Sequence, residues 1–127
     1  MDTSILLIDS DLGLLFWLGR ILDHAGYQAF PARSVPDAVA LLRELHLTVG
    51  VLILNCSLPE AEDLVPTLRR SYRFLKVICL NGDRHHRCIS GTDAVCRKPA
   101  ELSEHSKAEW VRALRGALSH SFDFHVS

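Results

Sequence analysis

The sequence has no long apolar segment and no block of charge of one sign. No apolar run approaches the roughly 18 residues that a membrane-spanning helix needs. Lysine and arginine number 14 against 15 aspartates and glutamates, which gives a formal net charge of −1, and both signs are dispersed along the chain. The short apolar runs predict no membrane segment. A nucleic-acid interface needs clustered positive charge, so we also expect no direct contact with nucleic acid.

The amino terminus lacks the basic segment of a signal peptide, and the chain has only four cysteines, at positions 56, 79, 88 and 96. In MDTSILLIDSD, acidic residues lie on both sides of the apolar run, which is not the pattern of a signal peptide. Four cysteines would allow two disulfides in a secreted chain. Cys79 and Cys96, however, fall inside apolar runs, where a free cysteine behaves as a small hydrophobic residue. We therefore expect a cytoplasmic protein with reduced thiols.

A chain of 127 residues with 48% hydrophobic content is sufficient for one domain with its own core. We assign residues 1–120 to this domain and residues 121–127 to a C-terminal tail. The alternation SFDFHV in the tail permits a short strand that docks on a neighbour, but a frayed terminus is the expected state.

Apolar runs and helical stripes alternate almost five times. The predicted strands are Ser4–Ile8, Gln28–Phe30, Val49–Leu54, Lys76–Leu80 and Ala94–Cys96, and the predicted helices are Leu12–Ala25, Val35–Leu45, Glu62–Tyr72 and Ser103–Ser119. Asp11 and Ser34 are suitable helix N-caps, and Gly26 suits the position after the first helix. Pro31 is expected to close the second strand, and Pro66 is acceptable in a helix only within the first turn.

This alternation predicts an α/β fold with a doubly wound, five-stranded parallel sheet. The first, third and fourth strands are the most apolar, which favours the flavodoxin-like order 2-1-3-4-5 with short strands at the edges. Only 17 positions separate Asn81 from Lys98, so the fourth helix should be short or missing. Ligands of such sheets bind beyond the carboxyl ends of the strands. The residues delivered there are Asp9, Ser10, Asn55, Asn81 and Lys98.

Four segments, ILLIDSD, LILNCSLP, VICLNG and CRKP, together resemble the receiver domain of two-component response regulators over residues 4–119. The resemblance puts Asn55 at the position of the aspartate that accepts a phosphoryl group. It puts Asp9 and Ser10 at the two acids that hold Mg²⁺, Asn81 at a hydroxyl position, and Lys98 at the phosphate-contacting lysine. Asp9 and Lys98 alone keep the expected chemistry.

These replacements predict that the pocket has lost its phosphorylation chemistry. An amide is a poor nucleophile because its lone pair is delocalised, and Mg²⁺ prefers carboxylate oxygens together with phosphate and water. We therefore expect no catalytic residue, no cofactor, and lost or weak Mg²⁺ binding. We also expect Lys98 to pair with Asp9, since a partly buried lysine without a partner would be unfavourable.

The predicted function is that of a degenerate receiver domain, not an enzyme, which acts as a phosphorylation-independent protein-interaction module in bacterial signal transduction. A protein partner or a second copy would dock on the face formed by strands 4 and 5 and the last helix. We expect exposed apolar side chains on this face, at Val95, Trp110, Val111 and Leu114. The alternatives are a conventional phosphorelay receiver and a flavodoxin-like domain that binds a small molecule. The latter is disfavoured because DSDLGL offers a single glycine for a phosphate loop.

Two further groups of residues could form a chemical site, and each also has a purely structural interpretation. His85, His86 and Cys88, with Cys96, have side chains that zinc accepts, but the intervening arginines favour a solvated loop without metal. Cys56 follows Asn55 and is a candidate redox-sensing thiol if its environment lowers its pKa. A half-buried loop cysteine is the expected alternative.

Overall fold

The computed structural model describes residues 4–81, 91–99 and 101–126, without the side chains of Asn81 and residues 117–126. Strands and helices alternate along most of the chain. They are β1 (Ser4–Ile8), α1 (Leu12–His24), β2 (Gln28–Ala32), α2 (Val35–Leu45), β3 (Val51–Asn55), α3 (Ala61–Ser71), β4 (Lys76–Asn81), β5 (Ala94–Arg97) and α4 (Glu104–Val126). The predicted short or missing helix between β4 and β5 falls on residues 82–90, outside the described residues.

The five strands form one parallel sheet in the order β2-β1-β3-β4-β5, which confirms the predicted order. Ile8 pairs with Leu54 between β1 and β3, and Asn55 pairs with Leu80 between β3 and β4. This register aligns the carboxyl ends of the three central strands at one edge of the sheet. The edge is where a parallel sheet presents polar side chains to a ligand or partner.

Side chains of each central strand alternate between two hydrophobic cores, one on each face of the sheet. In β1, Leu6 and Ile8 contribute to the core beneath α2 and α3, whereas Ile5 and Leu7 contribute to the core beneath α1 and α4. Both faces are therefore covered by helices, which explains why the strands are apolar without a polar alternation.

Helix boundaries follow the local capping chemistry that the sequence predicts. The Asp11 side chain accepts a hydrogen bond from the amide of Leu14 at the start of α1, and the Ser34 side chain does the same for Asp37 in α2. Gly26, which follows the C-cap residue Ala25 of α1, adopts φ +94°, in the left-handed region that favours glycine. The Asp11 cap lies in the turn between β1 and α1, where the candidate site begins.

Several boundaries shift by one or two residues from the prediction, and three features need a correction. β2 continues through Pro31 to Ala32, because β2 is an edge strand whose outer side needs no amide donor. Pro66 lies inside α3, after five helical residues. The carbonyl that it leaves without a helical donor belongs to Glu62, an exposed residue open to water. α4 extends to Val126, so the expected frayed tail after residue 120 is helical, as is the segment proposed as a strand.

No helix within the described ranges is long and apolar enough to cross a membrane.

Candidate functional site

Three polar side chains meet the carboxyl edge of the sheet from three different strands. Asp9 follows β1 and is fully buried, Asn55 ends β3 and is 7% exposed, and Lys98 follows β5. The backbone amide of Asp9 donates a hydrogen bond to the carbonyl of Ala32. This bond extends the β1–β2 pairing by one residue and fixes the backbone of Asp9. A buried carboxylate at this position requires a compensating charge or donors.

Lys98 provides the compensating charge, which confirms the predicted pairing. Its Nζ lies 2.7 Å from Oδ2 of Asp9, and the lysine side chain is 24% exposed. No group in the described residues makes an aligned hydrogen bond to this oxygen, so the contact is a close ion pair without hydrogen-bond geometry. The pair joins the end of β1 to the residue that follows β5, across β3 and β4.

The second carboxylate oxygen of Asp9 is also occupied. Oδ1 accepts a hydrogen bond from the amide of Asp11 at 2.9 Å, and Asp11 in turn caps α1 through its own side chain. Asp11 is therefore engaged as a helix cap, as the sequence predicts. Both oxygens of Asp9 thus have a partner in the protein, and a cation at Asp9 would compete with the ammonium of Lys98 for the same carboxylate.

Asn55 is fixed by the turn that follows β3. Its Oδ1 accepts hydrogen bonds from the amide of Ser57 at 2.9 Å and from the Ser57 hydroxyl at 2.6 Å. The carbonyl of Asn55 accepts from the amide of Leu58. This arrangement is an Asx turn, a typical role for asparagine beyond a strand. Ser57 was not singled out from the sequence, although an asparagine followed two residues later by serine is the pattern of such a turn.

The two remaining predicted pocket residues are Ser10 and Asn81. Ser10 is exposed beside Asp9 and caps no helix, since Asp11 takes that role. The backbone of Asn81 ends β4 and pairs with Arg97, whereas its side chain lies outside the description. Within residues 4–81, 91–99 and 101–126 no three histidine, cysteine or acidic side chains are grouped as metal ligands. The zinc alternative at His85, His86 and Cys88 falls outside these residues.

The predicted apolar face of β5 and α4 requires correction. Trp110 is only 4% exposed and Leu114 is fully buried; both pack into the core under the sheet. Trp110 also donates from Nε1 to the carbonyl of Arg97 at 3.2 Å, which ties α4 to the end of β5. Val95 is exposed, at 48%, and Val111 is half-buried. The expectation of exposure is therefore wrong for Trp110 and Leu114, because they lie on the face of α4 that packs on the sheet.

An open groove of about 740 Å³ lies on this side of the molecule, between β5 and α4. Its walls carry both charges and apolar groups, among them Val95, Arg97, Glu101, His105 and Glu109. Lys98 and Trp110 also border the groove, so it adjoins the ion pair at the edge of the sheet. The groove contains two residues of the predicted docking face, Val95 and Trp110.

The cysteines also differ from the expectation of reduced, unpaired thiols. Cys56 and Cys79 are joined by a disulfide, and both are buried. Cys56 is thus not the half-buried free cysteine that was expected. Cys96 is free and buried, and its desolvation raises the pKa of the thiol above the ordinary value. A raised pKa keeps this thiol protonated at neutral pH.

Solved structures with the same fold include several described as response regulators or signal receiver domains. The signal receiver domain of an HD domain-containing protein from Pseudomonas fluorescens Pf-5 is 25% identical, with TM-score 0.73, and the match covers 98% of this chain and 92% of that one. The N-terminal domain of a response regulator/sensory box/GGDEF 3-domain protein from Carboxydothermus hydrogenoformans is 14% identical, with TM-score 0.74 and coverage of 98% and 100%.

The chemotaxis response regulator CheY4 of Vibrio cholerae is 17% identical, with TM-score 0.67 and coverage of 88% and 98%. No protein-family model matches the chain, and neither does any curated protein. At these identities the structural likeness establishes the fold.

Proposed function

Because this chain has the fold of a response-regulator receiver domain, we propose that it is a phosphorylation-independent receiver, a protein-interaction module of bacterial signal transduction without enzymatic activity. The occupancy of the carboxyl edge carries this proposal. Asp9, the remaining acid of the family's metal-binding pair, already neutralises Lys98 at 2.7 Å. Asn55, at the family's phosphoacceptor position, has its side-chain oxygen held by Ser57.

The chemistry of phosphoryl transfer supports the same proposal. Transfer to a receiver needs a nucleophilic carboxylate and a metal ion that neutralises phosphate charge. The amide of Asn55 offers no such nucleophile, and Ser10 supplies a hydroxyl where the family has an acid. Mg²⁺ binding is accordingly lost or weak, and Lys98 pairs with Asp9 permanently.

The test is incubation with acetyl phosphate and Mg²⁺, followed by intact-mass measurement. The wild-type chain should gain no phosphoryl group. The matched variant Ser10→Asp/Asn55→Asp restores the two missing carboxylates and should gain one phosphoryl group per chain. Stoichiometric phosphorylation of the wild type would overturn the proposal and favour the conventional phosphorelay receiver. If neither protein reacts, a Mg²⁺ titration by NMR decides: saturable binding to the wild type in the low millimolar range would also overturn it.

A fixed surface must then carry the function, and the groove between β5 and α4 is the proposed docking surface. It has an exposed apolar residue, Val95, next to charges of both signs, which suits a protein partner or a second copy of the chain in the cytoplasm. Val95→Asp should abolish association, whereas the exposed control Phe74→Asp, in the turn before β4, should not. Sedimentation equilibrium and pull-down with and without acetyl phosphate measure this. Association that survives Val95→Asp, or that depends on the phosphodonor, would contradict the proposal.

A further inference from the structure

We propose that Cys56 and Cys79 form a reversible redox pair whose oxidation fastens the turn holding Asn55 to strand β4. The pair is independent of the groove and of phosphorylation. It rests on the position of two sulfurs that come together only in the folded chain, 23 residues apart in sequence.

The fold itself creates the juxtaposition. Leu54 pairs with Cys79 across β3 and β4, and Cys56 follows two residues after Leu54, so its side chain projects to the same face of the sheet. Both cysteines belong to the core beneath α2 and α3. Their Cα atoms are 5.9 Å apart, within the range that a disulfide spans without backbone movement.

The two cysteines have different access to solvent, which assigns them different roles. Cys56 is 9% exposed and begins a surface turn, whereas Cys79 is 1% exposed inside β4. A hydroperoxide therefore reaches Cys56 first; as the thiol gives up its proton, its sulfur is oxidised to a sulfenic acid while the peroxide is reduced and leaves as an alcohol or water. The sulfur of Cys79 then attacks the sulfenic sulfur and forms the S–S bond, and the released hydroxide takes up the proton that the Cys79 thiol loses, which gives water. Each disulfide consumes one peroxide and two thiol hydrogens; a dithiol reductant reverses it.

Oxidation acts on the turn because Cys56 lies between the partners of that turn. Asn55 precedes Cys56, and its side-chain oxygen accepts from the amide and hydroxyl of Ser57, which follows Cys56. The Asn55 carbonyl accepts from the amide of Leu58. A covalent link from Cys56 to Cys79 removes the motions that open these hydrogen bonds. The reduced state leaves the turn held by its hydrogen bonds and packing alone.

Peptide mapping tests the pairing directly. The chain is reduced with dithiothreitol, freed of reductant, exposed in its folded state to one equivalent of hydrogen peroxide, alkylated in denaturant and digested with trypsin. Cys56 then lies in peptide 44–69, Cys79 in peptide 77–84, and the other two cysteines together in peptide 88–97. We expect 44–69 cross-linked to 77–84, and the cross-link should disappear on renewed reduction. Alkylation of both cysteines after peroxide treatment, or the same cross-link yield from the chain treated in urea, would overturn the pairing.

Two variants and one measurement complete the test. Cys56→Ser should abolish the cross-link, whereas Cys96→Ser, which alters a buried cysteine outside the pair, should retain it. In wild-type protein, hydrogen exchange of the Ser57 and Leu58 amides should be severalfold slower after oxidation than after reduction. Equal exchange in the two states would refute the effect on the turn even if the cross-link forms, and this result needs no variant to fold.

Discussion

The ammonium of Lys98 lies 2.7 Å from the carboxylate of Asp9, and the two residues differ sharply in exposure. Asp9 has no contact with solvent, whereas 24% of the lysine side chain remains accessible. This asymmetry decides what happens when either partner is removed. A lysine without its partner can turn toward water, but the carboxylate of Asp9 cannot.

Lys98→Met should therefore destabilise the protein by about 3 kcal/mol, the usual penalty for leaving a buried charge uncompensated. Asp9→Asn should have a smaller effect, and the double variant Asp9→Asn/Lys98→Met should be more stable than Lys98→Met alone. Urea unfolding measures all three. The matched control is Lys107→Met. The Nζ atom of Lys107 lies 4.0 Å from Oε2 of the exposed Glu104, so removing this ion pair should lower the free energy of unfolding by less than about 0.5 kcal/mol. Equal losses for Lys98→Met and Lys107→Met would contradict the structural importance of the buried pair.

Substitutions at a buried and at an exposed residue of the β5/α4 region should have very different effects on the free energy of unfolding. Trp110→Ala removes a buried ring and its hydrogen bond to Arg97, and should cost about 3–5 kcal/mol. Val95→Asp alters an exposed position and should change the free energy of unfolding by less than about 0.5 kcal/mol. Thermal unfolding followed by circular dichroism measures both. A neutral Trp110→Ala would mean that the indole is not part of the core.

The elements and the ion pair could be predicted because their signals are local or follow from topology. Asp11 and Ser34 precede helical stripes, and parallel strands bring the residues after β1 and β5 to the same edge, where Lys98 finds Asp9. Exposure of Trp110 and Leu114 was predicted wrongly from the shortness of the segment after β4. Because they are four residues apart, Trp110 and Leu114 lie on the same face of α4. That face packs on the sheet regardless of the length of the segment after β4.

The Cys56–Cys79 pair could not be predicted, because it depends on the exact register of β3 against β4. A shift of one residue would send the two side chains to opposite faces. Ser57 escaped attention for a different reason: its role is to hold Asn55, and hydroxyl-to-amide contacts within a turn leave only a weak pattern in sequence.

Asp93 provides a test of which contact fixes the start of β5. Its Oδ2 accepts from the backbone amide of Val77 and from Arg69, both at 2.8 Å. The ion pair with Arg69 is more than a third exposed on both sides, so it contributes little, whereas the amide of Val77 would lose its side-chain acceptor. Asp93→Ala should cost about 1–3 kcal/mol and Arg69→Met less than about 1 kcal/mol in urea unfolding. The reverse order would show that the salt bridge is the dominant contact.

Cys96 should make the stability of the protein fall at alkaline pH. Burial raises the pKa of its thiol above the ordinary value of 9.0, so the unfolded chain releases this proton at a lower pH than the folded chain. Below the unfolded pKa both states are protonated and the stabilising contribution is fully present. As pH rises through the folded pKa it is lost, with a slope of up to about 1.4 kcal/mol per pH unit. Urea unfolding of wild type and Cys96→Ala between about pH 7 and about pH 10 isolates this effect, since the two proteins differ only at residue 96. The wild type should lose stability more steeply above pH 9.0; parallel curves would show that the Cys96 thiolate is tolerated in the core.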